Sequence, residues 1–286
     1  MSISGKSRIY GLLGDPVAHS LSPLMHNTAF SQQNIDAVYV PFHVSPQQLA
    51  PAIDGLRALN VAGVNVTIPH KETILPFLDE VDPVARLIGA VNTVVNNSGK
   101  LIGYNTDTSG FIRAIHQELN FNPKNRTILL LGAGGACRAA AVGLASTGVK
   151  SIIIANRQLS RAEILIDHLR PHFSSVHFKA SNYNDNSYIE ALSTADLIVN
   201  TTSVGLKKEK LNFLPLEDIK GGALIYDMIY SLPETPLIRS VRSMGLLGAD
   251  GLGMLAAQGE DAFFLWTGIK LPTGYMRKIL MESSVK

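Results

Sequence analysis

The sequence predicts an α/β protein with two domains, each built on a mostly parallel sheet. The chain has 286 residues, more than a single hydrophobic core usually serves. Short β-branched segments alternate with helical patterns along its length, which is typical of parallel sheets covered by helices. A polar, proline-containing segment at 120–126 separates two such series and marks a boundary.

Composition excludes several classes of protein. The chain is 46% hydrophobic and 17% charged, which is too apolar for a disordered chain. Its formal net charge of +2 offers no basic surface for nucleic acid. Its apolar runs are far shorter than the ~20 residues that cross a bilayer, and it begins without a signal-peptide pattern. With a single cysteine no internal disulfide can form, so we expect a cytoplasmic protein that binds neither nucleic acid nor membrane.

The N-terminal series contains three strand-like segments with helical patterns between them. A hairpin follows at 90–105, where an Asn/Ser/Gly turn joins two apolar segments and predicts an antiparallel strand. A helix is then expected at 106–119. The predicted strands are 8–14, 37–44 and 64–69, and the intervening helices are 22–33 and 46–59.

The C-terminal series repeats strand and helix more regularly. This alternation is the pattern of a doubly wound nucleotide-binding domain. The predicted strands are 127–132, 151–156, 176–180, 197–202 and 223–230.

A glycine-rich turn follows the first strand of this second series, in the segment LLLGAGGACRAAA at 129–141. Gly132 permits a tight turn, and Gly134 and Gly135 let a pyrophosphate approach the free N–H groups of the next helix. Cys137 takes the third glycine position of the usual motif. We interpret it as a packing residue rather than an activated thiol, and a glycine turn without a ligand is the alternative for the whole segment.

The strand at 151–156 ends in Asn156-Arg157, where NAD-binding domains place an acidic residue on the ribose. A guanidinium there suits the 2′-phosphate of NADP, and Arg161 could contact a second side of that phosphate. The alternative is an ordinary solvent-facing pair of arginines.

Lys71 stands at the end of GVNVTIPHKE, where the pattern predicts the start of a helix. A helix N-terminus is electropositive and disfavours a cation. A lysine there, shielded from water, would have its charged form disfavoured and could serve as an acid or base near neutral pH. Asp107 is predicted to N-cap the helix that follows it and to stay ionised beside such a lysine.

Other polar residues flank this position. Ser22 precedes Pro23 and is predicted to N-cap a helix, whereas Ser20 lacks such an explanation. Asn65 and Thr67 alternate along one strand at its C-terminal end, where open α/β sheets bind ligands. Their alternative is a polar strand edge in water.

Together these motifs resemble the shikimate dehydrogenase family over essentially the whole chain. The matching segments are HSLSP (19–23), VNVTIPHK (64–71), GAVNT (89–93), GYNTD (103–107), GAGGA (132–136), NR (156–157), NTTSVG (200–205), YDMIY (226–230) and ADGLGMLAAQG (249–259).

The resemblance implies reversible reduction of 3-dehydroshikimate by NADPH, with NADP bound in an interdomain cleft and Lys71 exchanging a proton beside Asp107. It implies a substrate domain of residues 1–107 plus 251–286 and a Rossmann-type NADP domain of residues 108–250. The implied substrate residues are Ser20, Ser22, Asn65, Thr67, Asn92, Tyr230 and Gln258. The implied cofactor residues are Gly132, Ala133, Gly134, Gly135, Ala136, Asn156, Arg157, Arg161, Thr201, Ile229 and Gly251.

Two departures and two alternatives accompany this interpretation. Many relatives have Thr and Lys where this chain has Gln158 and Arg161, and the aspartate that favours NAD in quinate-oxidising relatives is absent. A quinate/shikimate dehydrogenase with relaxed NAD/NADP use is one alternative. A dinucleotide-binding sensor without turnover is the other, against which Lys71 and Asp107 both argue. No metal is expected, and a monomer and a homodimer are both compatible with the sequence.

Overall fold

The computed structural model describes residues 3–207, 209–231 and 233–283. The chain forms two compact units. The first comprises Met1–Gly110 and Leu255–Lys286, and the second comprises Phe111–Met254. The polypeptide therefore leaves the first unit once and returns to it for its last helices.

The first unit is built on a six-stranded mixed sheet of order β2-β1-β3-β5-β6-β4. Its strands are β1 (Arg8–Gly14), β2 (Ala37–His43), β3 (Gly63–Val66), β4 (Glu80–Val81), β5 (Thr93–Asn97) and β6 (Lys100–Tyr104). β1 pairs in parallel with β2 and β3, whereas β5 runs antiparallel to both of its neighbours. The predicted antiparallel strand is thus confirmed.

The hairpin between β5 and β6 has the turn that its sequence predicts. Asn97 pairs with Lys100, so Ser98 and Gly99 form a two-residue loop with φ of 54° and 93°. Positive φ at both loop positions is the geometry of a type I′ turn, whose twist matches that of the flanking strands.

Helices cover this sheet. Those that precede the second unit are α1 (Ser22–Gln32), α2 (Leu49–Ala58) and α3 (Pro83–Ile88), and α4 (Asp107–Leu119) leads into that unit. A 3-10 helix at Pro46–Gln48 opens the segment that was predicted to be helical from residue 46.

The second unit is a parallel six-stranded sheet of order β12-β11-β10-β7-β8-β9, the strand order of the Rossmann fold, with its switch point between β7 and β10. Its strands are β7 (Thr127–Leu131), β8 (Ser151–Ala155), β9 (His177–Ser181), β10 (Leu197–Asn200), β11 (Leu224–Asp227) and β12 (Leu247–Asp250). The helices of this unit after α4 are α5 (Gly135–Ser146), α6 (Leu159–Leu169), α7 (Asn186–Thr194) and α8 (Pro236–Ser243). The last two helices of the chain, α9 (Leu252–Thr267) and α10 (Tyr275–Ser283), are those with which it returns to the first unit. The five strands predicted here are confirmed, with ends shifted by one to three residues.

Two strands escaped the sequence analysis for physical reasons. β4 has only two residues, too few to show an alternation. β12 has the sequence LGAD, in which Gly, Ala and Asp are all depleted in strands, and it forms because β11 offers it a parallel neighbour.

No α-helix begins at Lys71, and that prediction is wrong. Turns follow β3 over residues 71–74, and a short 3-10 helix at Leu75–Phe77 comes next. Pro76 explains the difference, because it lacks the N–H group that a helix starting at Lys71 would need in its second turn. The argument from a positive helix end therefore does not apply to this lysine.

Among the described residues, no helix combines the length and apolarity needed to cross a bilayer.

Candidate active site

Lys71 and Asp107 form an ion pair in the first unit. The Nζ of Lys71 lies 2.5 Å from Oδ2 of Asp107, and the side chains are 19% and 6% exposed. Lys71 belongs to the turn that follows β3, and its carbonyl accepts a hydrogen bond from Val91 N at 2.8 Å. The pair therefore has a largely dry carboxylate and an ammonium that reaches solvent.

Asp107 does not cap α4 as predicted, because it is the first residue of that helix. Its own N–H bonds to Oδ1 of Asn105 at 3.1 Å, and its carboxylate is directed to Lys71 and Asn92 instead of the helix backbone. The negative charge still lies in the first turn, where the helix dipole favours it.

Asn92 holds the second oxygen of this carboxylate. Its Nδ2 donates to Oδ1 of Asp107 at 2.9 Å, and its Oδ1 accepts from the backbone N–H of Thr106 at 2.8 Å. Because a backbone N–H can only donate, the orientation of the Asn92 amide is unambiguous. Oε1 of Gln258, from α9, lies 3.3 Å from the same Nδ2.

Asn65 lies on β3 beside this group and is buried. Its Nδ2 donates to the carbonyl of Asn92 at 3.2 Å, and its Oδ1 accepts from the hydroxyl of Tyr39 at 2.8 Å. β3 is flanked by β1 and β5, so the alternative of a polar strand edge in water is wrong for this residue.

Ser20, Ser22 and Thr67 lie near the carboxyl ends of β1 and β3, which are parallel neighbours. Thr67 directly follows β3, and its N–H donates to Leu13 O at 2.9 Å. α1 begins at Ser22, with Leu21 at its N-cap, so the predicted capping role of Ser22 is wrong. The N–H of Ser22 bonds to Oγ of Ser20 at 3.2 Å instead.

The glycine-rich turn of the second unit has the geometry of an anion site. Gly132 has φ of 109°, and a Cβ there would meet Oγ1 of Thr201 at 2.8 Å, so only glycine fits. Gly134 is the N-cap of α5, and a Cβ on it would meet no atom within 4 Å. The first intrahelical bond runs from Arg138 N to Gly134 O, which leaves the N–H groups of the first turn free for a phosphate.

Cys137 lies in this first turn but is fully buried. Burial raises the pKa of its thiol to about 12, so the thiol stays protonated at physiological pH. The packing interpretation of Cys137 is confirmed, and the alternative of an activated thiol is wrong.

Arg157 and Arg161 follow β8 on the surface, at its junction with α6. Within the described residues, no carboxylate forms an ion pair with either guanidinium. The loop beneath them is fixed, since Nδ2 of Asn156 donates to Gln158 O at 2.8 Å and Nδ2 of Asn182 donates to Arg157 O at 2.9 Å. Two available cations on an ordered backbone are suited to a phosphate monoester.

The remaining predicted cofactor residues follow β10, β11 and β12. Oγ1 of Thr201 donates to Leu131 O at 2.7 Å, and Gly251 N donates to Ile229 O at 2.9 Å. A Cβ on Gly251 would lie 2.3 Å from Met228 O, so glycine is required for this approach. Tyr230, a predicted substrate residue, lies three positions past β11 and belongs to the second unit.

A buried polar network that the sequence analysis missed supports these loops. Asp227 accepts hydrogen bonds from Oγ1 of Thr235 at 2.7 Å, Nδ2 of Asn200 at 2.8 Å and Ile229 N at 3.2 Å. Burial raises the pKa of Asp227 to about 6, although these three donors lower it. Its position inside the YDMIY motif was a signal, but the motif alone does not show what the aspartate contacts.

Three residues of the first unit were likewise missed, namely Tyr39, Thr93 and Thr106. Their hydroxyl groups are buried and bonded to the amides of Asn65 and Asn92. Thr93 and Thr106 each adjoin a predicted site residue within GAVNT and GYNTD, which was the available signal. Tyr39 lies on β2 with nothing in its neighbours to distinguish it from a core aromatic.

Comparison with known proteins covers nearly the whole chain. The description "Shikimate dehydrogenase substrate binding domain" matches residues 12–94, "Shikimate / quinate 5-dehydrogenase" matches 114–220, and "Shikimate 5'-dehydrogenase C-terminal domain" matches 251–281. A shikimate dehydrogenase (NADP(+)) from Geobacter metallireducens is 47% identical over 283 residues, which cover 99% of each chain.

Solved structures agree with this assignment. The shikimate 5-dehydrogenase of Thermus thermophilus, crystallised with NADP(H) and shikimate, is 34% identical with a TM-score of 0.83, covering 96% of this chain and 99% of that one. The quinate dehydrogenase of Corynebacterium glutamicum, in complex with NAD, is 31% identical with a TM-score of 0.85 and the same coverage. This chain therefore belongs to the shikimate dehydrogenase family.

Proposed function

We propose that this protein is an NADP-dependent shikimate dehydrogenase that interconverts 3-dehydroshikimate and shikimate, a step of the shikimate pathway and so of aromatic amino acid biosynthesis. The observation that carries the proposal is the Lys71–Asp107 pair, whose carboxylate is held by the amide of Asn92. Lys71 and Asn92 lie in the region that matches the family's substrate-binding domain. We further propose that it works in the cytoplasm, as a monomer or homodimer.

Lys71 is the general acid and base of this reaction. Its ammonium donates a proton to the substrate's carbonyl oxygen as that oxygen becomes an alkoxide, and its positive charge stabilises the developing negative charge. Asp107 orients the ammonium through Oδ2, while Asn92 holds Oδ1. In the reverse direction Lys71 accepts the proton of the hydroxyl group.

The other site residues bind the ring. Ser20 and Ser22 hold the carboxylate, and the hydroxyl groups bond to Asn65, Thr67, Asn92, Tyr230 and Gln258. Both N–H groups of Asn65 already have protein acceptors, so a substrate hydroxyl can only donate to its Oδ1. We assign these residues, except Tyr230, to a substrate domain of residues 1–107 plus 251–286.

The residues of the second unit suit NADP. The free N–H groups at the start of α5 and the open space at Gly134 fit a pyrophosphate, and Arg157 and Arg161 fit the 2′-phosphate, with Asn156 ordering their loop. When bound, NADPH supplies the hydride that reduces the ring carbonyl. Ala133, Gly135, Ala136, Thr201 and Ile229 complete this site in a cofactor domain of residues 108–250, together with Gly251, the residue that directly follows that domain.

A quinate/shikimate dehydrogenase with relaxed cofactor use is the second candidate. It is supported by the similarity to the quinate dehydrogenase of Corynebacterium glutamicum. The cation pair after β8 favours NADP and therefore favours the first candidate over it.

Replacing Lys71 tests the proposal. Lys71→Ala should lower kcat for shikimate oxidation with NADP by on the order of 10²- to 10⁴-fold, with a modest change in KM, because a general acid and base is lost. The production of NADPH is followed by absorbance, and steady turnover by the wild type excludes a sensor without activity.

Lys100→Ala is the matched control. Lys100 also pairs with a carboxylate at 2.5 Å, that of Glu80, but both side chains are about half exposed on the hairpin side of the sheet. This variant should keep wild-type kcat. Near-normal kcat in Lys71→Ala would show that another group transfers the proton.

A further inference from the structure

Thr93 joins the two amides that line the candidate active site. Its Oγ1 accepts a hydrogen bond from Nδ2 of Asn65 at 3.1 Å and donates one to Oδ1 of Asn92 at 3.0 Å. The hydroxyl is fully buried and has one proton to give. Oγ1 of Thr106 lies 3.3 Å from it, but the contact with Asn92 is shorter at 3.0 Å, so we assign the proton to the bond with Asn92.

The orientations of both amides are fixed by acceptors and donors that cannot change role. Asn65 must direct its nitrogen toward the carbonyl of Asn92, and Asn92 must direct its oxygen toward the backbone N–H of Thr106. The hydroxyl of Thr93 therefore accepts a hydrogen bond from Asn65, on β3, and donates one to Asn92. Asn92 in turn donates a hydrogen bond to Asp107.

The result is a buried chain of hydrogen bonds with a single direction. It begins at the hydroxyl of Tyr39, which donates to Asn65 at 2.8 Å, runs through Thr93 and Asn92, and ends at the carboxylate that binds Lys71. Buried polar networks of this kind hold side chains in one arrangement when every member is paired.

We propose that Thr93 is a positioning residue for the acid and base pair, whose hydroxyl holds the amides of Asn65 and Asn92 in place, in the orientations that backbone groups set, and through Asn92 holds Asp107 against Lys71. Thr93 contacts neither Lys71 nor Asp107 directly, and its effect on turnover passes through Asn92. This inference rests on the proposed function for its kinetic consequences, but the arrangement of the amides is independent of any reaction.

Two substitutions at residue 93 separate the hydroxyl from the packing. Thr93→Val keeps the shape and removes the hydroxyl, so it should lower kcat for shikimate about tenfold and raise KM for shikimate, with KM for NADP unchanged. Thr93→Ser keeps the hydroxyl and loses a methyl group, so its kcat should stay within about twofold of wild type. If Thr93 only packed in the core, Thr93→Ser would lose more kcat than Thr93→Val.

Tyr39→Phe tests the other end of the chain. It removes a hydrogen bond to Asn65 alone and leaves Asn92 and Asp107 paired, so KM for shikimate should rise while kcat changes little. Equal kcat losses in Tyr39→Phe and Thr93→Val would contradict the inference that Thr93 acts on Asp107 through Asn92.

The side-chain amide signals of Asn65 and Asn92 in NMR spectra provide a readout without turnover. Slow hydrogen exchange of these amides should be lost in Thr93→Val and retained in Thr93→Ser. Unchanged exchange in Thr93→Val would overturn the inference. If the wild type itself fails to oxidise shikimate, the proposed function fails, while this exchange measurement still decides the role of Thr93.

Discussion

Two buried carboxylates of this protein meet opposite surroundings. Asp107 has a cation at 2.5 Å and an amide donor at 2.9 Å. Asp227 is fully buried and accepts hydrogen bonds from neutral donors, and the negative charge of Asp250 adds to the burial that raises its pKa to about 6. We propose that the first arrangement serves proton transfer, whereas the second orders the loops that follow β10 and β11.

The raised pKa of Asp227 makes stability depend on pH. Between about pH 4, where an unfolded aspartate titrates, and about pH 6, only the folded chain binds this proton. The free energy of unfolding should therefore fall as pH rises through this window, by about 3 kcal/mol for a shift of roughly two units. Above about pH 6 this decrease is complete, and Asp227 no longer changes the free energy of unfolding with pH.

Asp227→Asn isolates this effect. The amide can accept from Asn200 and Ile229 through its oxygen and donate to Thr235, so the network persists without a titrating group. We expect the unfolding free energy of wild type minus that of the variant, from urea denaturation followed by circular dichroism, to decrease between pH 4 and pH 7. A difference that stays constant with pH would show that the proton does not bind Asp227 in this range.

At the scale of elements, close backbone approaches decide where the strands of the first unit can lie. A Cβ on Gly63 of β3 would lie 2.4 Å from Nε1 of Trp266, which itself donates to Val94 O at 3.0 Å. This bond ties α9 to β5, and α9 also carries Gln258 to the candidate site. Glycine, normally unfavourable in a strand, is required at this first position of β3 by the indole.

Gly63→Ala should consequently destabilise the first unit by about 1–3 kcal/mol, because the added methyl group displaces the indole from Val94. Gly55→Ala is the control, since Gly55 lies within α2 and a Cβ there would meet no atom within 4 Å. That substitution should stabilise by roughly 0.5–1 kcal/mol. Urea unfolding followed by the fluorescence of the one tryptophan measures both, and equal midpoints for the two variants would contradict this account.

At the scale of the whole molecule, we propose that substrate specificity rests mainly on the first unit and cofactor specificity on the second. The first unit presents amides and hydroxyl groups suited to a small polyhydroxy acid, and the second presents a dinucleotide turn with two cations after β8. Comparing shikimate and quinate with NADP and NAD therefore examines both units in one set of measurements.

We expect kcat/KM for shikimate to exceed that for quinate at least tenfold and NADP to be preferred over NAD. Quinate carries an extra hydroxyl beside its carboxylate, and one crowded or unpaired hydroxyl can supply the ~1.4 kcal/mol that a tenfold ratio needs. The NADP preference follows from Arg157 and Arg161, which suit a 2′-phosphate. Comparable efficiencies with both acids and both cofactors would favour the quinate/shikimate alternative.

Much of the fold followed from local patterns. The hairpin at Ser98-Gly99 was predictable because type I′ turns require residues that tolerate positive φ. Strands β7, β8, β10 and β11 were predictable because buried parallel strands are near-continuous apolar runs. The absence of a helix at Lys71 was missed, since the effect of Pro76 comes from five residues downstream. β12 depends on pairing with β11, which its own residues do not encode.

The amino-acid sequence alone indicated the family, the alternation of strands and helices and the candidate site residues, because motifs and periodicities are local properties of the chain. Only the tertiary structure decided that Asn65 is buried, that Asp107 turns from its helix toward Lys71, and that Thr93 links two amides from separate segments. These contacts join residues up to 36 positions apart in the chain. Hydrogen-bond partners so far apart are fixed by how the chain packs and not by their neighbours in the sequence.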